Sequence, residues 1–472
     1  MYSGFSYGSR SSSPAETEID DACAAWHAME PHWILIEDLL KGTYGVRQKH
    51  RKYLPQEPSE QDVSYDARLA RSTVAPFLQR MERLLAGMLV RKPVRLNDIS
   101  DQVRENLFNV DMQGNDLNVW AFETAKIMLR YGHIGCLVDA GKDGGRPYWV
   151  TYSPREILGW RTELKDGEQK FSQLRLLENT VEPDGLYGEK EVEQVRLLTP
   201  GAYEIHRKND KGEFVLHDEG TTSLSEIPFS VAYSQRVNWM ESRPPLEDIA
   251  ELNLKHYQIQ SDLFNQLHIS AVPMLAFFGF PQNSEEVTAG PGEAISFPPD
   301  GKAEFIEIKG TSFDAQFESL RMVEKQINDL GMAAILGTKL AAETAKSKEI
   351  DRSQGDSTMK VVAQQLQDLI DNSLLYHARY LGTNEVGTSF VNRDFLTTRL
   401  EPQEITSLQG LWSSGAITQE TLLKQLVEGE VLGDDFDVEM ELEAVAQDGL
   451  VEMEPPEDQI EEPEEEEVEL DE

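Results

Sequence analysis

From Ser64 to Val90 the residues Leu69, Val74, Phe77, Met81, Leu84, Leu85 and Met88 recur near the spacing of one helical face, which predicts a helix through YDARLARSTVAPFLQRMERLLAGMLV. A second helix is predicted over about 117–131. Gly132 stops it, because glycine readily takes the left-handed conformation that closes a helix. An earlier helix is expected from about 16 to 40, broken or kinked at Pro31, since proline has no N–H for the ladder. Between them, YGVRQKHRKYLPQEP reads as a basic extended segment stopped by Pro55 and Pro58. After Gly132 the period shortens. GCLVDA reads as a buried strand, GKDGG as a turn and RPYWVTY as a second strand. From about 159 to 233 the runs KFSQLRLLE, VEQVRLLT, AYEIHR and EFVLHDE alternate between Gly, Asp and Asn turns, as an antiparallel sheet requires.

The middle of the chain changes character. Pro244 and Pro245 open a helix running to about Ser270, with Leu246, Ile249, Leu252, Ile259, Leu263, Phe264 and Leu267 on its apolar face. A Pro- and Gly-rich stretch follows over 271–310, with strand candidates at PMLAFFG and AEFIEI. Another helix is predicted from about Phe313 to Leu336. After LGTKLAAETAKSK a long polar helix reaches about Leu381. A small strand pair is expected at TSFVNRDFLTTRL, then short helices over 402–413 and 417–428. The layout is α+β, without internal repeats, and 472 residues exceed one ordinary core.

Composition refines this picture. The net charge is −40, and from Gln425 to Glu472 the chain holds 22 Asp and Glu with no Lys or Arg. The other 424 residues therefore carry about −18. With almost no apolar residue after Leu450, this tail is expected to be disordered. The Ser- and Gly-rich first 12 to 15 residues are expected to be flexible, and lack the apolar stretch of a secretory signal. So acidic a chain has no long-range attraction for nucleic acid and would meet DNA as a repelling wall or through local basic residues. No apolar run approaches the roughly 18 to 20 residues that span a bilayer, so no membrane partner is expected. Cys23 and Cys136 stand 113 positions apart, which offers no disulfide framework and fits assembly in a reducing cytoplasm.

Candidate chemistry is sparse. His27 and His32 sit beside Trp26 and Trp33, which suits packing, and His256 and His268 share nearly one helical face. No Cys, His or Asp cluster offers converging metal ligands. GKDGG lies between strands, and LGTKL lacks the paired glycines of a phosphate loop. The expectation is no enzyme, no catalytic residue, no metal and no cofactor. Two basic stretches stand out from the acidic background: Arg47, Lys49, His50, Arg51 and Lys52, and then Lys339, Lys346, Lys348, Arg352 and Lys360. Each reads either as a solvated face or as a contact for a polyanion, where lysines meet phosphate without reading sequence.

Several segments, in order, resemble a family of tailed-phage portal proteins long catalogued as a domain of unknown function. YLPQEP leads into a helix with the Tyr-x-x-Arg of YDAR and ends at RKP. DMQGNDLNVWAFETAKIMLRYGHIGCLVDAG and RPYWVTYSPREILGWR resemble a second block of that family. PPLEDIAELNLKHYQIQSDLFNQLHISAVPMLAFFG, with its Leu-Asn-x-x-His-Tyr, resembles a third. The resemblance spans roughly 45–400.

That resemblance implies a portal fold: a flexible N-terminus (1–15), a sheet-rich wing (16–243), stem helices (244–270 and 313–336), and a small α/β clip between them (271–312). It further implies a tunnel loop (337–348), a long helix returning to the wing (349–401), a helical crown (402–440) and an acidic tail (441–472). It implies a homo-oligomeric ring, usually of twelve copies, at one capsid vertex of the virion, with a central channel for genome packaging, retention and ejection. Its partners would be the packaging motor (large terminase), a head–tail adaptor, the major capsid protein and double-stranded DNA bound without sequence preference. Lys339, Lys346 and Lys348 would touch the DNA backbone at the constriction. The competing readings are a minor head or connector protein without a channel, and a nucleic-acid enzyme, which needs a carboxylate–metal site.

Overall fold

A computed structural model describes residues 18–141, 145–209, 211–271, 274–278, 301–306, 311–336, 345–393, 395, 400, 402–433 and 436–451. The chain divides into two compact units, Met1–Phe395 and Leu396–Glu472.

The first unit begins with α1 (Ala24–Leu40), α2 (Gly42–Gln48), α3 (Asp62–Arg71) and α4 (Phe77–Leu89). Two expectations need correcting here. α1 starts later than expected and runs on through Pro31. Burial of Met29, Trp33, Ile36 and Leu39 along one face holds the helix across the missing hydrogen bond. The stretch from Ser64 to Val90 is two helices, parted between Ser72 and Pro76, because proline disfavours helical backbone before it and suits a helix start. The basic segment after Leu40 is also not extended. It forms α2 and then a short helical turn over His50–Lys52.

Next come β1 (Arg95–Ile99), α5 (Asp101–Asn106) and α6 (Leu117–Tyr131). The α6 bounds match the expectation. Gly132 closes it at φ 94°, and a Cβ there would lie 2.5 Å from Ser242 Oγ and 2.7 Å from the Arg243 carbonyl. β2 (His133–Ala140) and β3 (Pro147–Tyr152) follow. The antiparallel meander β4 (Ile157–Lys165), β5 (Glu168–Asp184), β6 (Gly188–Thr199), β7 (Ala202–Lys208) and β8 (Phe214–Thr221) comes next. β9 (Phe229–Tyr233) returns to pair with β2, giving a three-stranded sheet in the order β3-β2-β9. β10 (Arg236–Asn238) and β11 (Glu241–Ser242) form a small ribbon.

α7 (Glu247–Ser270), β12 (Met274–Phe278), β13 (Lys302–Ile306) and α8 (Thr311–Leu336) make a helix–strand-pair–helix arm, with Met274 opposite Ile306. α9 (Ala345–Leu381) and β14 (Val386–Phe390) end the unit. β14 pairs with β1, far away in sequence, and not with a following strand as expected, Arg95 facing Phe390. The FLTTRL half of that expected pair lies mostly outside the described residues.

The second unit holds α10 (Pro402–Ser413), α11 (Gln419–Glu428) and α12 (Val438–Val451). α12 corrects the expected tail. Its Leu442, Ala444 and Val445 lie among good helix formers, so the first part of the acidic run is helical. Residues 452–472 of that tail, and the expected flexible N-terminus, lie outside the described residues.

β2 explains the core of the body. Ile134, Cys136 and Val138 face one cluster with α4, α6 and α9, while Leu137 faces a second with Tyr152, Leu174, Leu198 and Phe229 from the larger sheet. A strand buried on both faces must be apolar throughout, which is why GCLVDA does not alternate. Burial pushes the Cys136 thiol up to about 12 beneath Ser373 of α9, so it is unreactive. The helix read as polar in fact buries Val362, Leu366, Leu369, Ile370, Ser373 and His377 against the sheet.

His377 is enclosed there. The Trp149 indole donates to its Nδ1 at 3.2 Å, and the Asn106 amide lies 3.0 Å from Nε2. Burial, reinforced by the Arg146 charge, lowers its pKa to about 4. Burial lowers His133, bonded to Ser242, to about 3. An imidazolium has no acceptor for the Trp149 N–H, so protonation also breaks that bond. Both folded values lie below the ordinary 6.5. Their contribution to stability is therefore complete above that pH and is lost as pH falls towards 4, at about 1.4 kcal/mol per pH unit for each residue. Calorimetry across pH 7 to 4 should show a falling Tm, with a shallower fall in His377→Gln.

Candidate functional site

Where the arm leaves the body, polar side chains replace apolar ones on the buried face of α7. Asn253, His256, Tyr257 and Ser261 are all buried, at intervals of three, one and four residues. Each meets a neighbour that the sequence places far away. Asn253 accepts from the Leu78 N–H at 3.1 Å and donates to the Ala75 carbonyl at 3.0 Å. It thereby satisfies the backbone at the break between α3 and α4. His256 stacks edge-on against Phe77, with ring centroids 5.0 Å apart, and its Nε2 lies 3.2 Å from Glu324 of α8. The Ser261 hydroxyl lies 2.6 Å from that of Ser72 at the end of α3.

Arg68 locks the same joint. Its guanidinium donates to both Glu60 oxygens at 2.9 and 2.7 Å, to the Pro55 carbonyl at 2.8 Å and to Asp262 of α7 at 3.2 Å. The side chain is 5% exposed, so this two-pronged pair is largely sheltered from water. The Arg68 bond holds the Glu60 carboxyl below its ordinary value, whereas burial raises Asp262 against the pull of Arg68. Tyr65 lies under both Arg68 and Arg51, 5.6 and 5.1 Å from its ring centre. Arg71 adds a bond to Asn265 at 2.8 Å.

Outward from this joint the arm changes surface. Leu320, Val323 and Ile327 bury α8, but Phe264, Ile269, Phe278, Phe317, Met322 and Leu330 remain 38 to 54% exposed. Six large apolar side chains along two helices and a strand pair form a surface suited to covering by another chain.

The basic segment at 47–52 is occupied by its own chain. Arg47 donates twice to the Ser72 carbonyl, at 3.0 and 2.8 Å, Arg51 pairs with Asp62 at 3.0 Å, and Lys49 lies 3.6 Å from buried Asp38. The second basic group divides. Lys339 lies outside the described residues, while Lys346 and Lys348 fall in the first turn of α9 and not in a loop. Among the described residues no group of three or more His, Cys, Asp or Glu is placed to hold a metal, and no helix is long and apolar enough to cross a membrane. The polar row on α7 escaped the apolar-face reading. Its signal was the Leu-Asn-x-x-His-Tyr of 252–257, an asparagine and a histidine in the middle of an otherwise apolar stripe.

A family described only as a domain of unknown function, DUF4055, matches residues 245–381, from the start of α7 to the end of α9. No curated protein matches. Among solved structures, the neck of a native GTA particle computed with C12 symmetry has a TM-score of 0.40 at 10% identity, covering 81% of this chain and 99% of that one. The neck of an empty GTA particle with C6 symmetry scores 0.40 at 11% identity, covering 75% and 90%. The virion of the native gene transfer agent particle scores 0.40 at 11%, covering 79% and 96%. Likeness at this level carries no functional argument.

Removing Arg68 strands Glu60 in a site where its side chain is 11% exposed. Arg68→Ala should cost about 3–5 kcal/mol in urea unfolding. Arg68→Lys should recover only part of that, because an ammonium cannot make the two-pronged contact. Asn253→Ala should cost about 1–3 kcal/mol by exposing two backbone groups to burial without a partner.

Proposed function

We propose that this chain is a portal subunit, a structural protein forming a ring of twelve copies around a DNA channel at one vertex of a tailed-phage capsid. The observation that carries the reading is the arm: two long helices joined through one strand pair, fixed to the body by a buried polar joint and apolar on faces the single chain leaves uncovered. A connector without a channel has no need of such an arm. The ordered signature segments support the same reading, and the residues they share, Tyr65, Arg68, Asn253, His256 and Tyr257, meet at the joint. On this reading α7 and α8 are the stem, β12 and β13 belong to the clip, the sheets and α1 to α6 form the wing, and α10 and α11 belong to the crown. The packaging motor, adaptor and major capsid protein are its partners.

An acidic channel suits passage of DNA, since phosphates gain no lasting contact with a wall of like charge. Lys339, Lys346 and Lys348 are proposed as brief backbone contacts at the constriction. Replacing all three with Gln should impair DNA packaging or retention while leaving assembly intact, and unchanged packaging and retention would remove this role. For the ring itself, light scattering on the full chain should give a mass near twelve times 53.3 kDa, with a central hole in negative-stain images. A compact dimer or tetramer without a channel would overturn the portal reading.

A further inference from the structure

β5 and β6 outrun their sheet. β4 pairs with β5 only as far as Leu176, and β7 pairs with β6 only from Gln194, while β5 and β6 continue together to Asp184 and Gly188. The extension is a free two-stranded ribbon tipped by Leu186 and Tyr187, which are 82 and 93% exposed. Asp184, Glu189 and Glu191 surround the tip, with Lys190 as the one cation between them.

The start of β5 borders an open cleft of about 600 Å³. Phe171, Tyr233, Trp239 and Tyr376 line it, and Arg236, Arg379 and Lys170 stand around them. Lys170 and Arg379 share Glu226, but Arg236 meets only its neighbour's Asn238 carbonyl and the rings of Tyr233 and Trp239, 5.1 and 5.6 Å away. Two cleft residues carry polar atoms without a hydrogen-bond partner: the Ser230 hydroxyl, in a side chain 6% exposed, and the Trp239 indole N–H. Fully buried polar atoms left unmatched are costly.

We infer that the ribbon tip of one copy seats Leu186 and Tyr187 in this cleft on a neighbouring copy. The chemistry is complementary. The tip brings an aromatic ring and an aliphatic group to an aromatic floor, a phenol hydroxyl to a site short of partners, and three carboxylates to a rim where Arg236 has none. The tip cannot serve its own cleft, because about thirteen residues of extended strand carry it roughly 40 Å from Phe171. The contact is heterologous, ribbon to cleft, and such contacts close into rings. The inference rests on the ring reading and names a contact within it.

The test uses two single-cysteine chains, Tyr187→Cys and Arg236→Cys, each in a Cys23→Ser background. Cys136 stays, its buried thiol being inert. The chains are mixed before assembly and oxidised. The expected result is a disulfide-linked dimer, near twice 53.3 kDa on a denaturing gel, from the mixture and from neither chain alone. Rings of the right mass without that dimer overturn the ribbon contact and leave the ring standing, as would be seen if the tip met a capsid protein instead. A mixture that stays monomeric overturns the ring reading and this inference with it.

Discussion

The arm's direction depends on polar groups buried along one face of α7. An apolar helix can slide or rotate against its neighbours at modest cost, because dispersion contacts are non-directional. A row of Asn253, His256 and Ser261, each with a distant partner, cannot. Moving α7 by one turn, about 5.4 Å, would strand the Leu78 N–H, the Ala75 carbonyl and the Arg68 guanidinium together. Each unmatched group costs about 1–3 kcal/mol, so the register has no close competitor. An assembly that must close on itself needs every copy to hold its long elements at the same angle, and a polar joint supplies that uniqueness where greasy packing would not.

The body anchoring the joint is stiff for a related reason. β2 is apolar on both faces, and its exit carries Asp139 into an ion network. Arg196 bridges Asp139 at 2.6 Å and Glu178 at 2.7 Å, while Tyr152 and Tyr148 donate to the same two carboxylates. The two sheets are thereby tied by hydrogen bonds as well as by the cluster around Leu137 and Phe229. Forces on the arm meet a base with few soft modes.

Much of this was legible. α6 and its glycine stop, β2, β3, the meander, α7, the β12–β13 strand pair and α8 all follow from period and punctuation, because each is a local pattern with one dominant reading. The misses share a cause. Pro31 was overridden by tertiary burial of Trp33 and Ile36, and β14 found its partner in β1, nearly three hundred residues earlier, where no local pattern points. The break at 72–76 was visible as Pro76 but was outweighed by apolar spacing on either side. The polar joint was legible only as a motif. Nothing in the spacing says that Arg68 reaches Asp262, 194 residues later.

The basic residues of this acidic chain do not form one pool. Arg47 spends both of its bonds on the carbonyl that ends α3, and Arg51 lies between Asp62 and Tyr65, so a polyanion there would have to open the joint's own cap. The start of α9 is different. Its first turn has no acidic residue and carries lysines at its second and fourth positions. Cations at a helix N-terminus oppose the backbone dipole and cost the helix some tenths of a kcal/mol each. Local rules broken without local benefit are expected where function imposes them. On the portal reading the benefit comes from the phosphate backbone, which meets two lysines and the positive end of a 37-residue helix together.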